Sequence, residues 1–319
     1  MTENSVAVLI LSGLLDYSTD RICDHLSRQG VSFLRINQDQ LADLRFSIDP
    51  LAATMTCRYD SQTWHVGSEL RSVWWRQATF LRNTPGRRLT TTEQLERSQW
   101  SGAMRGMMLF DHAIWMNHPA ETYQAESKPY QLRRAAALGF DVPSTLVTND
   151  PKADVPGKIG TRIALKSVDT VLLQDEHYQH FGYTTLIDWA KCADEHFHFA
   201  PATCQSVLAP KLDLRVTVVG DRLWCDAITS EHGAIDGDWR VLAKNEISYR
   251  DYDLPMDIAE RCRSLVRDLG LRFGAIDLAH SDERYWFIEI NPTGEWGWLD
   301  REGRGLSAAI AEELACPSC

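Results

Sequence analysis

Three oxygen-bearing side chains near the end of the chain have the pattern of a hard-cation site. Asp277 sits in the apolar run Gly274-Ala-Ile-Asp277-Leu, and Glu289 and Asn291 sit in Phe287-Ile-Glu289-Ile-Asn291-Pro. Residues i and i+2 of a strand point to one face, so Glu289 and Asn291 project together. If the two runs pair through the short turn His280-Ser-Asp-Glu283, Asp277 can join them. Two carboxylates and an amide on one sheet face suit Mg²⁺ shared with phosphates. The competing reading is structural: carboxylates among apolar neighbours need either a cation or an arginine partner.

A second group is cationic. Lys166 ends the apolar strand Ile163-Ala-Leu-Lys166, and Lys128 begins a helical segment. Arg215 lies in Leu212-Asp-Leu-Arg-Val-Thr-Val-Val-Gly220, where it shares a face with Asp213. Taken singly, each lysine reads as an ordinary solvated charge. A third group is Gln205-Ser-Val-Leu208, followed by Ala-Pro-Lys211. A short extended segment of this kind can offer backbone N–H and C=O groups to an adenine edge.

The elements that must hold these residues alternate between strand and helix. Val6–Leu11, Ser18–Gln29 and Val31–Ile36 form a strand–helix–strand unit, the start of a Rossmann-like layer. Ser72-Val-Trp-Trp-Arg76 reads as a further strand. Thr90-Thr-Thr-Glu93 offers a capping box for a helix running to about Ile114, with Leu95, Met104, Met107, Met108 and Phe110 expected in the core. Lys128–Leu138 is a helix closed at Gly139, Arg162–Lys166 a strand, and Asp169–Tyr183 a hairpin or mobile loop. Leu212–Val219 and Arg222–Thr229 flank the turn Gly220-Asp221, and Ile258–Leu269 is a helix closed by Gly270. The fold class is therefore mixed α/β: a Rossmann-like N-terminal lobe over 1–118, a central lobe over 119–203, and an antiparallel-sheet lobe over 204–319.

Composition narrows the classes. The 319 residues carry a net charge of −11, with 44% hydrophobic and 24% charged residues, which excludes a disordered chain. No apolar run approaches the roughly 20 residues that span a bilayer, and the start has no signal or lipidation motif, so the expected location is cytoplasmic with no membrane partner. An acidic balance argues against nucleic acid. The charge is unevenly placed: residues 1–118 hold 12 Arg, no Lys and 12 acids, so residues 119–319 carry the whole −11. The eight cysteines include Cys316-Pro-Ser-Cys319, which supplies only two ligands and is expected to have no catalytic role.

In this order the pieces resemble the ATP-grasp superfamily, from about Asn117 to Leu299. Within it they look most like the microviridin-type (graspetide) maturases of ribosomal peptides. The matching stretches are Trp115-Met-Asn-His-Pro119, Lys128-Pro-Tyr-Gln-Leu132, Gly139-Phe-Asp-Val-Pro-Ser-Thr-Leu-Val-Thr148, Asp213-Leu-Arg-Val-Thr-Val-Val-Gly220, Asp238-Trp-Arg240 and Glu289-Ile-Asn-Pro-Thr-Gly-Glu-Trp-Gly-Trp298, with Val73-Trp-Trp-Arg76 similar to that group's early strand. The resemblance implies ATP and Mg²⁺ as cofactors. It assigns Lys128 and Lys166 to the phosphates, Gln205, Ser206, Val207 and Leu208 to the adenine hinge, and Lys211 and Asp213 to the same nucleotide site. Arg215 and Arg240 become the catalytic arginines, and Asp277, Glu289 and Asn291 the magnesium ligands. Ser206 stands where an acid is commoner, and Thr293-Gly-Glu295 where Asn and Gln are commoner.

The activity so implied is phosphorylation of a side-chain carboxylate by ATP, followed by attack of a hydroxyl or amine to give an ester or amide within one precursor peptide. The implied partner is that peptide, with its leader and acidic core, and the resemblance also admits a homodimer. Two other readings share the nucleotide site: a stand-alone ligase of the glutathione-synthetase or polyglutamate type, and a non-catalytic nucleotide-binding regulator. Between Leu70 and Thr92 there are five arginines and no acid, so Arg76, Arg82, Arg87 and Arg88 are expected to help hold an acidic peptide. By analogy alone, the segment from about 168 to 186 could bind a leader.

Overall fold

The computed structural model describes residues 3–76, 88–169, 172–174, 179–230, 235 and 237–316. A four-stranded parallel sheet opens the chain, in the order Phe33–Asn37, Val8–Ser12, Ser72–Trp75, Ile114–Met116. Its central strand is buried along its whole length, as an uninterrupted apolar run between two covered faces requires. The helix Tyr17–Arg28 follows, its first turn capped by the Asp16 side chain, which accepts from the Thr19 N–H. A second small sheet, Glu3–Ser5, Gln62–Val66, Thr54–Tyr59 and Arg45–Asp49, packs beside it and is not anticipated by the sequence pattern.

The expected long helix from Thr90 is shorter than its pattern. The capping box between Thr90 and Glu93 forms, and the helix spans Thr91–Gly106. A single 3₁₀ turn over Met107–Leu109 then ends it, and Ile114–Met116 pairs with Ser72–Trp74 as an edge strand. Ladder pairing and burial of Met107, Phe110 and Trp115 outweigh the helical periodicity. Met104 is also buried, whereas Leu95 is 61% exposed and Met108 lies at the surface, so neither belongs to the core.

The middle sheet is antiparallel, in the order Thr185–Asp188, Arg162–Ser167, Ala202–Ser206, Thr145–Thr148. The cut expected at 203 falls inside one of its strands. Leu172–Gln174 and Gln179–Phe181 pair as the anticipated hairpin. The helix Lys128–Ala137 is closed by Gly139 in the left-handed region, at φ 84°, and packs on the third sheet rather than on the middle one.

That third sheet has five antiparallel strands, in the order Ile247–Asp251, Arg222–Ser230, Leu212–Val219, Phe273–Ser281, Arg284–Asn291. The helix Met256–Asp268 covers its back through Ile258, Cys262, Leu265 and Val266. The last helix, Leu306–Ala315, returns to the first sheet and buries Leu306, Ile310 and Leu314 with Val8, Ile10, Ile22 and Leu26. Among the described residues no helix is long and apolar enough to cross a membrane.

Candidate active site

The third sheet lines up its charged residues by register. Asp226 stands opposite Arg215, Arg215 opposite Asp277, and Asp277 opposite Glu289, so four neighbouring strands place four charges in one row. Directly opposed residues share a face. A bulge between Asp277 and Leu278 interrupts the ladder beside Glu289. Such bulges re-aim side chains and recur next to functional sites.

This row opens onto a solvent-open cleft of about 820 Å³ between the middle and third sheets. Lys128, Lys166, Gln205, Ser206, Leu208, Lys211, Asp213, Arg240, Asp277 and Glu289 all line it. Residues scattered over more than 160 positions of sequence are thus brought together. Val207 falls between two lining residues without lining the cleft itself. Arg215 lies one strand behind Asp277, and Asn291 borders an adjoining recess with Lys128, Gln131, Glu289 and Thr293.

The charges are held by specific partners. Lys128 Nζ is 3.2 Å from Glu289 Oε2, and Lys166 Nζ donates to Gln205 Oε1 at 2.7 Å. Gln205 Nε2 in turn donates to Thr145 Oγ1 at 2.9 Å. Lys211 pairs with Asp213. Arg240 grips Asp238 with two parallel bonds, Nε to Oδ1 at 2.9 Å and Nη2 to Oδ2 at 2.8 Å, and its Nη1 lies 3.8 Å from Glu289 Oε1. Asp238 Oδ2 also accepts from the Thr184 N–H at 3.0 Å, which ties the cleft's two walls together.

Protonation follows from these contacts. Burial pushes the Lys166 ammonium down to about 8, with Glu289 pulling the other way. Burial also raises the Asp277 carboxyl, which Arg215 opposes and Glu289 reinforces. At Glu289 the same burial is outweighed by Lys128, Arg240 and Lys166, which hold the carboxylate ionised. Burial of Asp238 is outweighed by the Arg240 hydrogen bonds and charge, leaving its carboxyl at about 2.

The donor set fits a hard cation and an anion. Among the described residues, Asp277 Oδ1 and Arg215 Nη1 are buried with no hydrogen-bond partner, and Arg215 Nε stands 3.2 Å from that same oxygen. The available ligands are two carboxylates and an amide, with Asn291 Nδ2 3.4 Å from Glu289 Oε1. Among the described residues, no group of three or more His, Cys, Asp and Glu side chains gathers as a metal site. Oxygen donors at this count suit Mg²⁺, which keeps several waters and takes its remaining contacts from phosphate.

Of the expected peptide-holding arginines, the described residues include Arg76 and Arg88. Arg76 is 2% exposed and bonded within the fold. Its Nε donates to Asp16 Oδ2 at 3.1 Å, its Nη2 to Glu295 Oε2 at 2.6 Å, and its Nη1 to the carbonyls of Thr293 and Gly294. It therefore ties the loop after Asn291 to the first sheet, with four of its five N–H donors bonded inside the fold. This pairing also accounts for Glu295, whose other oxygen accepts from Ser18 Oγ at 2.5 Å and from the Gly297 N–H at 2.8 Å. Arg88 is exposed just before the Thr91–Gly106 helix, and Arg82 and Arg87 lie outside the described residues, as does Cys319.

Several cleft residues escape sequence reasoning. Asp238 and Trp239 sit inside a stretch already noted for Arg240, and an acid two residues before a site arginine is a usable signal. Thr184 acts through its backbone, and Ala164 and Ile288 are apolar, so their types say nothing about a site.

No family model matches the chain, and no curated protein matches it. Solved structures do. A RiPP-associated ATP-grasp ligase from Chryseobacterium gregarium, in complex with ADP and a leader and core peptide, superimposes with a TM-score of 0.85 at 23% identity, over 99% of this chain and 98% of that one. The macrocyclase MdnC from Microcystis aeruginosa MRC, bound with the precursor peptide MdnA, gives a TM-score of 0.81 at 26% identity, over 96% and 98%. The macrocyclase MdnB from the same organism gives 0.77 at 24%, over 98% and 99%.

Proposed function

We propose, on the premise that this chain has the ATP-grasp fold of the RiPP-modifying ligases, that it is an ATP-dependent macrocyclase of a ribosomal precursor peptide. It activates side-chain carboxylates of that peptide as acyl phosphates and forms intramolecular ester or amide crosslinks. The observation that carries this reading is one cleft lined by Lys128, Lys166, Gln205, Arg240, Asp277 and Glu289, in a chain whose likeness to a precursor-bound macrocyclase extends over nearly its full length. A looser likeness, to a RimK domain ATP-grasp protein from Sphaerobacter thermophilus at a TM-score of 0.59 and 14% identity, shares the fold and does not favour a stand-alone ligase.

In this reading Lys128 and Lys166 neutralise the nucleotide phosphates, and Gln205 to Leu208 and Lys211 meet the adenine end. Asp277, Glu289 and Asn291 would hold Mg²⁺, which would supply charge neutralisation at the phosphates. Transfer of the phosphoryl group needs alignment and charge neutralisation more than covalent help from the protein. Arg215 and Arg240 supply that charge on the peptide side, where their planar forks suit a carboxylate or acyl phosphate. Asp213 restrains Lys211. A precursor hydroxyl or amine then displaces phosphate. We keep a three-lobe division as part of this reading, its first cut at 118 and its second moved past Ser206, where the middle sheet's strand ends, with the leader and core peptide as partner, a homodimer, no nucleic acid, and a cytoplasmic location where ATP is abundant.

The test is incubation with ATP, Mg²⁺ and a precursor peptide that has a Thr/Ser- and Asp/Glu-rich core, followed by mass spectrometry. Successive losses of one water mass, matched by ADP, are expected. ADP formed only on free amino acids would replace this reading with that of a stand-alone ligase.

A further inference from the structure

The strand Arg284–Asn291 is the outermost of its sheet, so among the described residues one edge of its backbone has no neighbouring strand. It is also bulged beside Glu289, where Ile288 is the extra residue between the Asp277–Glu289 and Leu278–Phe287 pairs. A ladder broken on one edge and open on the other leaves the aim of Glu289 and Asn291 poorly determined. Something besides the sheet has to set it.

Gln131 meets that need. It is 2% exposed, and its carboxamide takes both outward backbone groups of Ile290, the residue between Glu289 and Asn291. Gln131 Oε1 accepts from the Ile290 N–H at 3.0 Å, and Gln131 Nε2 donates to the Ile290 carbonyl at 2.8 Å. One side-chain amide thus stands where the backbone of another strand would be. Nε2 also donates to the Ala125 carbonyl at 2.6 Å, which anchors the clamp to the preceding helix, Pro119–Ala125.

The clamp and a phosphate lysine share one helix. Lys128 and Gln131 are three residues apart in Lys128–Ala137 and face the same strand, one through the Glu289 carboxylate and the other through the Ile290 backbone. The same edge is held at two further points, where the Phe287 N–H donates to the Asp141 carbonyl at 2.8 Å and Asn117 Nδ2 donates to the Pro292 carbonyl at 2.8 Å. Those contacts lie outside the ligand pair, and Gln131 lies between its two members.

We propose that Gln131 is the positioning residue of the metal site, fixing Glu289 and Asn291 as a pair without touching metal or nucleotide. This rests on the reading of those side chains as magnesium ligands. Residues that orient ligands from behind cost about 10–100-fold in metal affinity when lost. The clamp therefore governs how far Mg²⁺ tightens nucleotide binding, not nucleotide binding as such.

Isothermal titration of the full chain with ADP, with and without Mg²⁺, tests this directly. In Gln131→Leu the gain in ADP affinity on adding Mg²⁺ should shrink about tenfold or more, while the Mg²⁺-free affinity stays within about twofold of the unsubstituted chain. Gln131→Glu keeps the shape and an acceptor for the Ile290 N–H but loses both donors. It should fall between the two, and it carries the test if Gln131→Leu does not fold. A full Mg²⁺ gain in either folded variant overturns the clamp. An unsubstituted chain whose ADP affinity ignores Mg²⁺ overturns the ligand reading itself, so the two failures are distinguishable.

Discussion

Lys166 makes the site's response to pH predictable. Burial holds its ammonium at about 8 instead of the ordinary 10.5, and an arriving phosphate adds the negative charge that raises it again. At pH 8 about half of the free protein then lacks this proton, and almost all of the nucleotide-bound protein has it. ADP binding should therefore take up about half a proton at pH 8 and about 0.9 at pH 9, with affinity falling as pH rises. Calorimetric titration in two buffers of very different ionisation enthalpy reads this number directly. Lys166→Met should bind ADP more weakly and take up none. No proton uptake in the unsubstituted chain, or equal uptake in Lys166→Met, would refute the reasoning. Stability carries the same signature. The unfolded lysine titrates near its ordinary 10.5 and the folded one near 8, so between these values the unfolded chain binds more protons and stability rises with pH. Below pH 8 the penalty is complete, about 3 kcal/mol, and Lys166→Met should raise the denaturation midpoint at pH 7 while impairing the site.

Three further outcomes are expected. Arg76→Met strands the buried Asp16 carboxylate and frees the loop after Asn291, so urea unfolding should show a loss of about 3–5 kcal/mol, partly recovered when Asp16→Asn is added; unchanged stability would return Arg76 to the pool of substrate-binding residues. Asp238→Asn loosens the two-bond grip on Arg240 and the tie to Thr184, so kcat for peptide dehydration should fall about 10²-fold with little change in ADP affinity; a pure loss of ADP affinity would mean that Asp238 serves the nucleotide instead. Asp277→Asn and Glu289→Gln should each abolish Mg²⁺-dependent dehydration by mass spectrometry, and a fully active variant would overturn the magnesium assignment.

The site was legible where residue type and local period coincide. Glu289 and Asn291 two apart in an apolar strand, Lys166 at the end of another, and Gly139 closing a helix all follow from short-range geometry, and each lies where that geometry puts it. The helix from Thr90 marks the limit. Its capping box is local and forms, but its end depends on Ile114–Met116 finding an edge in the parallel sheet, which no window around Thr90 contains. Arg76 marks a different limit. Five arginines without an acid between Leu70 and Thr92 read as a charged surface, because Asp16 and Glu295, which engage Arg76, lie 60 residues before it and 219 after it.

The sequence by itself determined the inventory: which strands carry acids, which end in lysines, and the order that resembles ATP-grasp maturases. Those features depend on side-chain chemistry and on periods of two and 3.6 residues, so neighbours along the chain suffice to read them. Tertiary structure alone decided which charges are usable. It set Arg215, Asp277 and Glu289 in one row across three strands, closed Arg76 into the fold, lowered Lys166 by burial, and put Gln131 against an edge 159 residues away. Burial, register and long-range pairing are properties of the packed chain, and a charge becomes a ligand, a strut or a titrating group only when packing decides what lies beside it.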